Sequence, residues 1–317
     1  MNYTQLKTLS TFLLFSIISL SYSQNQTYFT LASDIDSLFI LGNGGNIQSH
    51  TLVTEISGLP VNGFTGMALD PTTSIVYIIV KYGTNNNRYL ATLNTSSSTA
   101  TKISNLSDKI SSIAFDNSGQ LFGITGDGGN NPNRFYSIDK SNSSLTELAD
   151  LSGDFDGDGE AISYNSIDGF MYRLAGEEFL YKIDMTSFNT TLVSNSLYDS
   201  GASGHALYFN GIDFISLSQY ICTMSSLGQQ TDCNEVDLDF KGILPSNITS
   251  ISEIKISTMP NVTITNIKLF FCIIVMYLLS VHTNVDILIN HIIESRVDVF
   301  PIFPLRTEYL FLKCEQQ

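Results

Sequence analysis

The sequence predicts an all-β fold, and three observations predict it: a repeat of about 46 residues, period-2 alternation of apolar residues within each repeat, and polar turns between the alternating runs. Four segments each carry an apolar run, a turn and a second apolar run. Asp and Asn suit the first turn position because their side chains hydrogen-bond the turn backbone. The residues that open these turns are Asp70, Asp116, Asn165 and Asn210.

A second pair of apolar runs follows in each unit, with turns opened by Asn94, Asp139 and Asp184. Four strands per unit of this length is the pattern of a β-propeller blade. An earlier copy fits Tyr28 to Leu59, where SLFIL aligns with QLFGI, and a partial copy at Ile248 is a candidate for the strand that closes the ring. We expect a β-propeller of about five to seven four-stranded blades. A tandem of β-sandwiches is the alternative, although it would not need so regular a period.

The N-terminus has the features of a signal peptide over residues 1–23. Lys7 precedes the apolar run Phe12–Leu20, and small residues then allow cleavage before Gln24. An uncleaved membrane anchor is the alternative, but the run is shorter than the roughly 20 residues of a span. Export to the cell surface or medium would permit glycosylation at seven sequons, namely Asn25, Asn94, Asn105, Asn142, Asn189, Asn247 and Asn261.

The repeat domain is predicted to cover residues 24–258, and residues 259–317 form a tail of different composition. Glycine is absent from the tail, and Leu269–Val281 is strongly apolar. The tail has three interpretations: a membrane anchor, a buried helix, or an altered reading frame that replaces further blades. A net charge of −15 argues against nucleic acid as a partner, because phosphate-backbone binding needs clustered Lys and Arg.

The blades resemble those of secreted bacterial propellers in the broad NHL, YVTN and strictosidine-synthase-like group. The matching residues are Ala68-Leu69-Asp70 through Tyr77 and Ala114-Phe115-Asp116 through Phe122. Blades ending like Phe135–Asp139 also resemble uncharacterised cell-surface propeller repeats. The resemblance covers roughly residues 28–256 and implies a propeller fold. It does not imply an activity, because propellers host both binding proteins and enzymes.

The first strand of each blade is expected to line the central channel. Five residues before the turn openings, one equivalent position holds Thr65, Ser111, Glu160 and His205. Glu160 and His205 in adjacent blades are candidates for a metal site, a polar ligand site or an acid/base pair. The alternative is that they line a water-filled channel without further function.

The segment from Asp154 to Glu160 resembles a calcium loop, because Asp154, Asp156 and Asp158 alternate and Gly159 follows. Ile162 and Asn165 stand where such a loop carries its later acidic ligands, so a solvated acidic turn is the alternative. Two glycine clusters, at residues 42–45 and 126–129, lack the following helix of a phosphate-binding loop and predict hairpin turns.

Cys222 and Cys233 flank a hairpin tip, SSLGQQ, and a six-residue loop would place Met224 opposite Thr231 and the two cysteines opposite each other. We therefore predict a cross-strand disulfide. Together these features favour an extracellular binding or adhesion module whose ligand is a protein or a glycan, with calcium as the one expected cofactor and membrane contact through the tail. The alternative is a secreted hydrolase or lyase with a channel site at Glu160 and His205.

Overall fold

The computed structural model of the chain describes residues 26–85, 87–154, 160–176, 179–197, 205–217 and 219–247, together with 296–297 and 314–315. Within these ranges the regular elements are β-strands, numbered here in chain order. The strands between residues 26 and 247 form five sheets arranged as the blades of a propeller, which confirms the predicted fold class. The signal peptide and most of the tail lie outside the described residues.

Each blade has four antiparallel strands, and blade 2 carries one further short strand. Blade 1 contains β1 (Thr27–Ala32), β2 (Ser37–Gly42), β3 (Ile47–Leu52) and β21 (Phe240–Pro245). Blade 2 contains β4 (Thr54–Glu55), β5 (Phe64–Leu69), β6 (Val76–Tyr82), β7 (Asn87–Asn94) and β8 (Thr99–Asn105). Blade 3 contains β9 (Ile110–Phe115), β10 (Leu121–Thr125), β11 (Arg134–Ile138) and β12 (Leu145–Asp150). Blade 4 contains β13 (Glu160–Tyr164), β14 (Phe170–Ala175), β15 (Phe179–Asp184) and β16 (Thr190–Ser194). Blade 5 contains β17 (Ala206–Phe209), β18 (Phe214–Leu217), β19 (Tyr220–Met224) and β20 (Gln230–Glu235).

The tail belongs to a second unit, Glu253–Gln317, apart from the first unit that ends at Ser252. In it the structure describes one antiparallel pair, β22 (Arg296–Val297) with β23 (Cys314–Glu315). Among the residues described, no helix is long and apolar enough to cross a membrane. The predicted boundaries at residues 23 and 258 stay predictions.

The ring is closed by β21, which pairs with β1 and supplies the innermost strand of blade 1. The alignment of SLFIL with QLFGI is therefore wrong by one strand. QLFGI includes β10, the second strand of its blade, whereas SLFIL is β2, the third strand of blade 1. The error arises because the inner neighbour of β1 is not the strand before it in the sequence but β21, which follows all the other blades. The closing strand also precedes the segment at Ile248, which lies outside the described residues.

The predicted turn openings are confirmed by their hydrogen bonds. Asp70 Oδ1 accepts from the backbone N–H of Thr72 at 2.8 Å, and Asn210 Oδ1 accepts from Ile212 at 2.9 Å. Asp116 and Asn165 make the corresponding bonds in blades 3 and 4. The outer turns follow the same rule, with bonds accepted by Asn94, Asp139 and Asp184. A short polar side chain that satisfies turn N–H groups explains why Asp and Asn recur there.

The five inner strands β5, β9, β13, β17 and β21 approach one another closely around the axis. The residue four places before each turn is small in every blade, as Gly66, Ser112, Ala161, Ala206 and Gly242. A Cβ added at Gly242 would stand 2.7 Å from the Met67 Cβ, and one at Gly66 would stand 3.1 Å from the Ile113 nitrogen. Side-chain hydroxyls add bonds between blades: Ser112 Oγ accepts from Ile162 N–H at 3.0 Å, for example.

Blades 2 and 3 are also joined by an ion pair outside the channel. Asp70 is fully buried, and its Oδ2 lies 2.6 Å from Lys140 Nζ. Burial disfavours the ionised carboxyl, but the bonds from Lys140 and Thr72 outweigh burial and lower the pKa of Asp70 to about 2.

We expect this pair to make the stability of the propeller pH-dependent below about pH 4. The Asp70 contribution is present above the unfolded-state pKa of about 3.9 and is lost as the pH falls towards the folded-state pKa of about 2. Denaturant unfolding between pH 5 and pH 2 measures it. The Asp70→Asn variant should be less stable at pH 5 and should lose less stability on acidification. An equal loss of unfolding free energy on acidification in variant and parent would contradict the stabilising role of Asp70.

Candidate functional site

The upstream mouth is the end of the channel at which the inner strands begin. The position five residues before the turns holds Thr65, Ser111, Glu160 and His205, as expected, and blade 1 supplies Lys241 at the same level. Lys241 was missed because the closing strand was not recognised. The run from Phe240 to Pro245 nevertheless has the repeat's spacing of small and apolar residues, which is the signal that would have found it.

Thr65 and Ser111 bond to the backbone of the propeller. Thr65 is buried, and its hydroxyl donates to the Ile110 carbonyl of blade 3 at 2.8 Å. The Ser111 hydroxyl donates to the Ile124 carbonyl of its own blade at 3.0 Å. These two side chains therefore contribute to strand association at the mouth.

Glu160 lies in a buried cluster between blades 3 and 4. Its two carboxylate oxygens accept from Arg173 Nε at 2.8 Å and from Arg173 Nη2 at 2.7 Å. Arg173 is fully buried on β14, and its Nη1 also donates to Asp154 at 3.0 Å, while Nη2 also donates to Asn133. Burial lowers the pKa of the Arg173 guanidinium, but the bonds and charges of Glu160 and Asp154 reverse this and raise it. Arg173 therefore stays charged and neutralises two acidic side chains.

His205 lies in a different cluster, between blades 5 and 1. Its Nδ1 is hydrogen-bonded to the carboxylate of Asp239, which also lies 3.2 Å from Lys241 Nζ. Burial disfavours ionised Asp239, but His205 and Lys241 outweigh it and lower its pKa. Glu160 and His205 thus stand at equivalent positions of neighbouring inner strands, but the Glu160 side chain is fully buried against Arg173, and His205 bonds to Asp239.

Lys81, at the end of β6, adds a second lysine to this mouth. Its side chain is 7% exposed, and Nζ contacts Asp34 and, at 3.2 Å, Ser33 Oγ. Burial lowers the pKa of Lys241, and the charge of Lys81 adds to this against the opposing effect of Asp239. The charge cluster, defined as Asp34, Lys81, His205, Asp239 and Lys241, therefore combines two largely buried lysines with carboxylates that face solvent. The side chains of Asp34 and Asp239 are 82% and 42% exposed.

The calcium loop stays a prediction. Asp154 Oδ2 bonds to Arg173, and Oδ1 accepts from Thr190 Oγ1 at 2.8 Å, whereas Asp156 and Asp158 lie outside the described residues. In the part of the chain that the structure describes, no three His, Cys, Asp or Glu side chains form a group that could hold a metal ion.

Thermal unfolding with calcium and with chelator tests the loop. If the loop binds calcium, calcium should raise the melting temperature, because a cation bound to the folded state stabilises it. An Asp156→Asn plus Asp158→Asn variant should lose the shift. An unchanged melting temperature in the parent chain would contradict the prediction.

The disulfide between Cys222 and Cys233 is confirmed, and it joins β19 to β20. The predicted register of this hairpin is wrong by one residue, because Met224 pairs with Gln230 and Thr223 with Thr231. A bulge on β20, where Asp232 has a φ of 51°, supplies the extra residue that brings Cys233 back opposite Cys222. Hairpin length alone could not predict such a bulge.

We expect Cys233→Ser to lower the free energy of unfolding by about 2–3 kcal/mol, because the bond closes a short loop in the unfolded chain. Urea unfolding with and without dithiothreitol measures it. The parent chain should be destabilised by the reductant, and the variant should not respond. Equal stability of parent and variant under oxidising conditions would contradict the expectation.

The fold and the channel define this chain as a five-bladed β-propeller. No protein-family model and no curated protein matches it. Among solved structures, the crystal structure of a nidogen/laminin complex is similar over 68% of this chain and 97% of that chain, with 13% identity and a TM-score of 0.46. A structural genomics protein of unknown function from Bacteroides thetaiotaomicron VPI-5482 is similar over 66% of this chain and 49% of that chain, with 12% identity and a TM-score of 0.41. The fold assignment rests on the five sheets and their closure.

Proposed function

We propose that the protein is an exported binding module that recognises an extracellular ligand at the upstream mouth of its channel. The observation that carries the proposal is the charge cluster, in which Lys81 and Lys241 are held by carboxylates that face solvent. Such a cluster offers donors and acceptors on a closed ring of blades. A rigid ring positions them before the ligand arrives, which lowers the ordering cost of binding.

The ligand class that suits this cluster best is a glycan. Its hydroxyl groups can bond to both carboxylates and lysines, and a carboxylate-bearing sugar could replace exposed Asp34 beside Lys81. A long polyanion is disfavoured by the net charge of −15. A protein ligand is the other outcome of the test.

An array of neutral and carboxylate-bearing glycans, probed with the full chain, tests this function. We expect binding to a defined glycan that weakens at least tenfold, by about 1.4 kcal/mol, in the Lys81→Met plus Lys241→Met variant. Lys182→Met on blade 4 is the control and should bind as the parent does. Equal binding by parent and double variant would move the site away from the mouth, and absence of glycan binding would leave a protein as the ligand.

An enzyme remains the second candidate, and the pairing of His205 with Asp239 favours it. A carboxylate on Nδ1 orients an imidazole for acid or base catalysis. Glu160 contributes less to this candidate, because Arg173 donors occupy both its oxygens. Hydrolysis of chromogenic glycosides or esters that is abolished by His205→Gln, with folding intact, would support the enzyme. Equal rates in parent and variant would exclude this site.

Export, membrane contact and the finer relationship to NHL and YVTN propellers are part of the same proposal. The Ala-Leu-Asp and Ala-Phe-Asp motifs lie at the ends of β5 and β9, where the repeat needs a turn. The first residue of the secreted protein is expected to be Gln24, which N-terminal sequencing would check. Detergent extraction of the full chain beside a chain ending at Ser252 would show whether the tail anchors it.

A further inference from the structure

We infer that the opposite end of the channel is a second binding site, which takes a small apolar molecule built on one ring. This downstream pocket has a volume of 190 Å³ and opens where the inner strands end. The inference goes beyond the proposed function, since none of the charge cluster lines this pocket.

The downstream pocket is lined almost entirely by the last three residues of the five inner strands. The lining includes one apolar residue at the equivalent position of each blade, and each of these also packs in a core cluster: Met67, Ile113, Ile162, Leu207 and Ile243. Nearer the opening, the lining includes the aromatic residues Phe115, Tyr164 and Phe209. Hydroxyl groups in the lining belong to Ser163, Tyr164 and Tyr208, and that of Ser163 already accepts from the Phe209 N–H at 3.0 Å. The lining therefore favours an apolar occupant.

The pocket is preformed and separate from the upstream mouth. The small residues that include Gly66 and Gly242 let neighbouring inner strands approach closely between the two ends. Strand geometry places the lining roughly 7–13 Å farther along the strands than the level of Glu160 and His205. The strands that form the wall are also held by the closure of the ring, so the pocket cannot collapse as a loop-lined cavity can.

The volume decides the size of the ligand. An apolar cavity of about 150 Å³ lined by aliphatic and aromatic side chains binds benzene. A pocket of 190 Å³ with similar lining therefore suits one aromatic or aliphatic ring with a small substituent.

Two exposed isoleucines lie on turns that follow strands of the pocket wall. Ile167 and Ile212 are 73% and 80% exposed, on the turns that begin beside the lining residues Tyr164 and Phe209. The corresponding turn residues in blades 2 and 3 are Thr72 and Ser118, whose hydroxyls bond to Asp70 and Asp116.

Titration of the full chain with toluene, followed by methyl NMR, tests the inference. We expect saturable shifts in the millimolar range or tighter at Ile113, Ile162 and Ile243, and none at Ile103, which lies on β8, the fourth strand of blade 2 counted from the channel. Benzoate is the matched polar probe and should bind at least tenfold more weakly, because its carboxylate would lose hydration in an apolar pocket.

Two variants locate the binding. Ala114→Phe should abolish the toluene shifts by filling the pocket, and Leu69→Asp, at a half-buried position of the lining, should weaken them at least tenfold. Lys81→Met plus Lys241→Met should bind toluene as the parent does, so failure of the glycan site and failure of this one are distinguishable. Absence of saturable shifts in the parent, or equal binding by a folded Leu69→Asp variant, would overturn the inference.

Discussion

Replacing Arg173 with methionine is expected to lower the free energy of unfolding by about 3–5 kcal/mol. The guanidinium is fully buried and neutralises Glu160 and Asp154, whose side chains are 0% and 14% exposed. Methionine preserves much of the volume but leaves both carboxylates without their cation, and an uncompensated buried charge is costly. Urea unfolding of the parent and the variant measures the difference.

Two matched variants separate the charge effect from packing. Arg134→Met removes a partly exposed arginine that pairs with Glu147 and Asp150, and should cost about 1 kcal/mol or less. Adding Glu160→Met to Arg173→Met should restore part of the lost stability, because the buried pair is then replaced by apolar groups. If Arg173→Met costs no more than Arg134→Met, the cluster does not stabilise the interface between blades 3 and 4.

Ending the chain at Asp239 is expected to abolish cooperative unfolding. The truncation removes β21, so β1 loses its backbone partner and blade 1 loses its inner strand. It also removes Phe240, Ile243 and Leu244, which are buried against blades 5 and 2. The ring would then be open, with β1 as an unpaired edge and the facing side of blade 5 uncovered.

A chain ending at Ser252 is the control for this truncation. It keeps all the strands of the five blades, so it should unfold cooperatively near the melting temperature of the full chain. Calorimetry or circular dichroism on the two truncated chains, both without residues 1–23, makes the comparison. Cooperative unfolding of the chain that ends at Asp239 would contradict the role of β21 in closing the ring. If the chain that ends at Ser252 unfolds without cooperativity, ring closure would instead depend on the tail.

The repeat, the turns and the disulfide could be predicted because they depend on neighbours in the chain. An Asp or Asn that bonds to the next N–H groups leaves its mark at a regular spacing, as Asp70 and Asp116 do. Cys222 and Cys233 lie close enough in sequence to share a hairpin. The bulge at Asp232 shifted the register without moving the cysteines apart, so the pairing was predicted although the local geometry was not.

The candidate site was predicted as a level of the channel, while its chemistry was not. Thr65, Ser111, Glu160 and His205 lie at the expected position, but Arg173 and Asp239 decide what the last two can do. Arg173 lies on the second strand of its blade, and Asp239 precedes a strand that closes the ring from the far end of the chain. Neither partner follows from the spacing of the repeat.

The sequence by itself determined the all-β class, the four-stranded unit and the residues that open its turns, because period-2 alternation and turn hydrogen bonds act over a few residues. Only the tertiary structure decided that there are five blades, that β21 completes the first of them, and that Glu160 belongs to a buried ion cluster. The physical reason is that ring closure and charge pairing join residues far apart in the chain, and their energies depend on burial that exists only once the blades are packed.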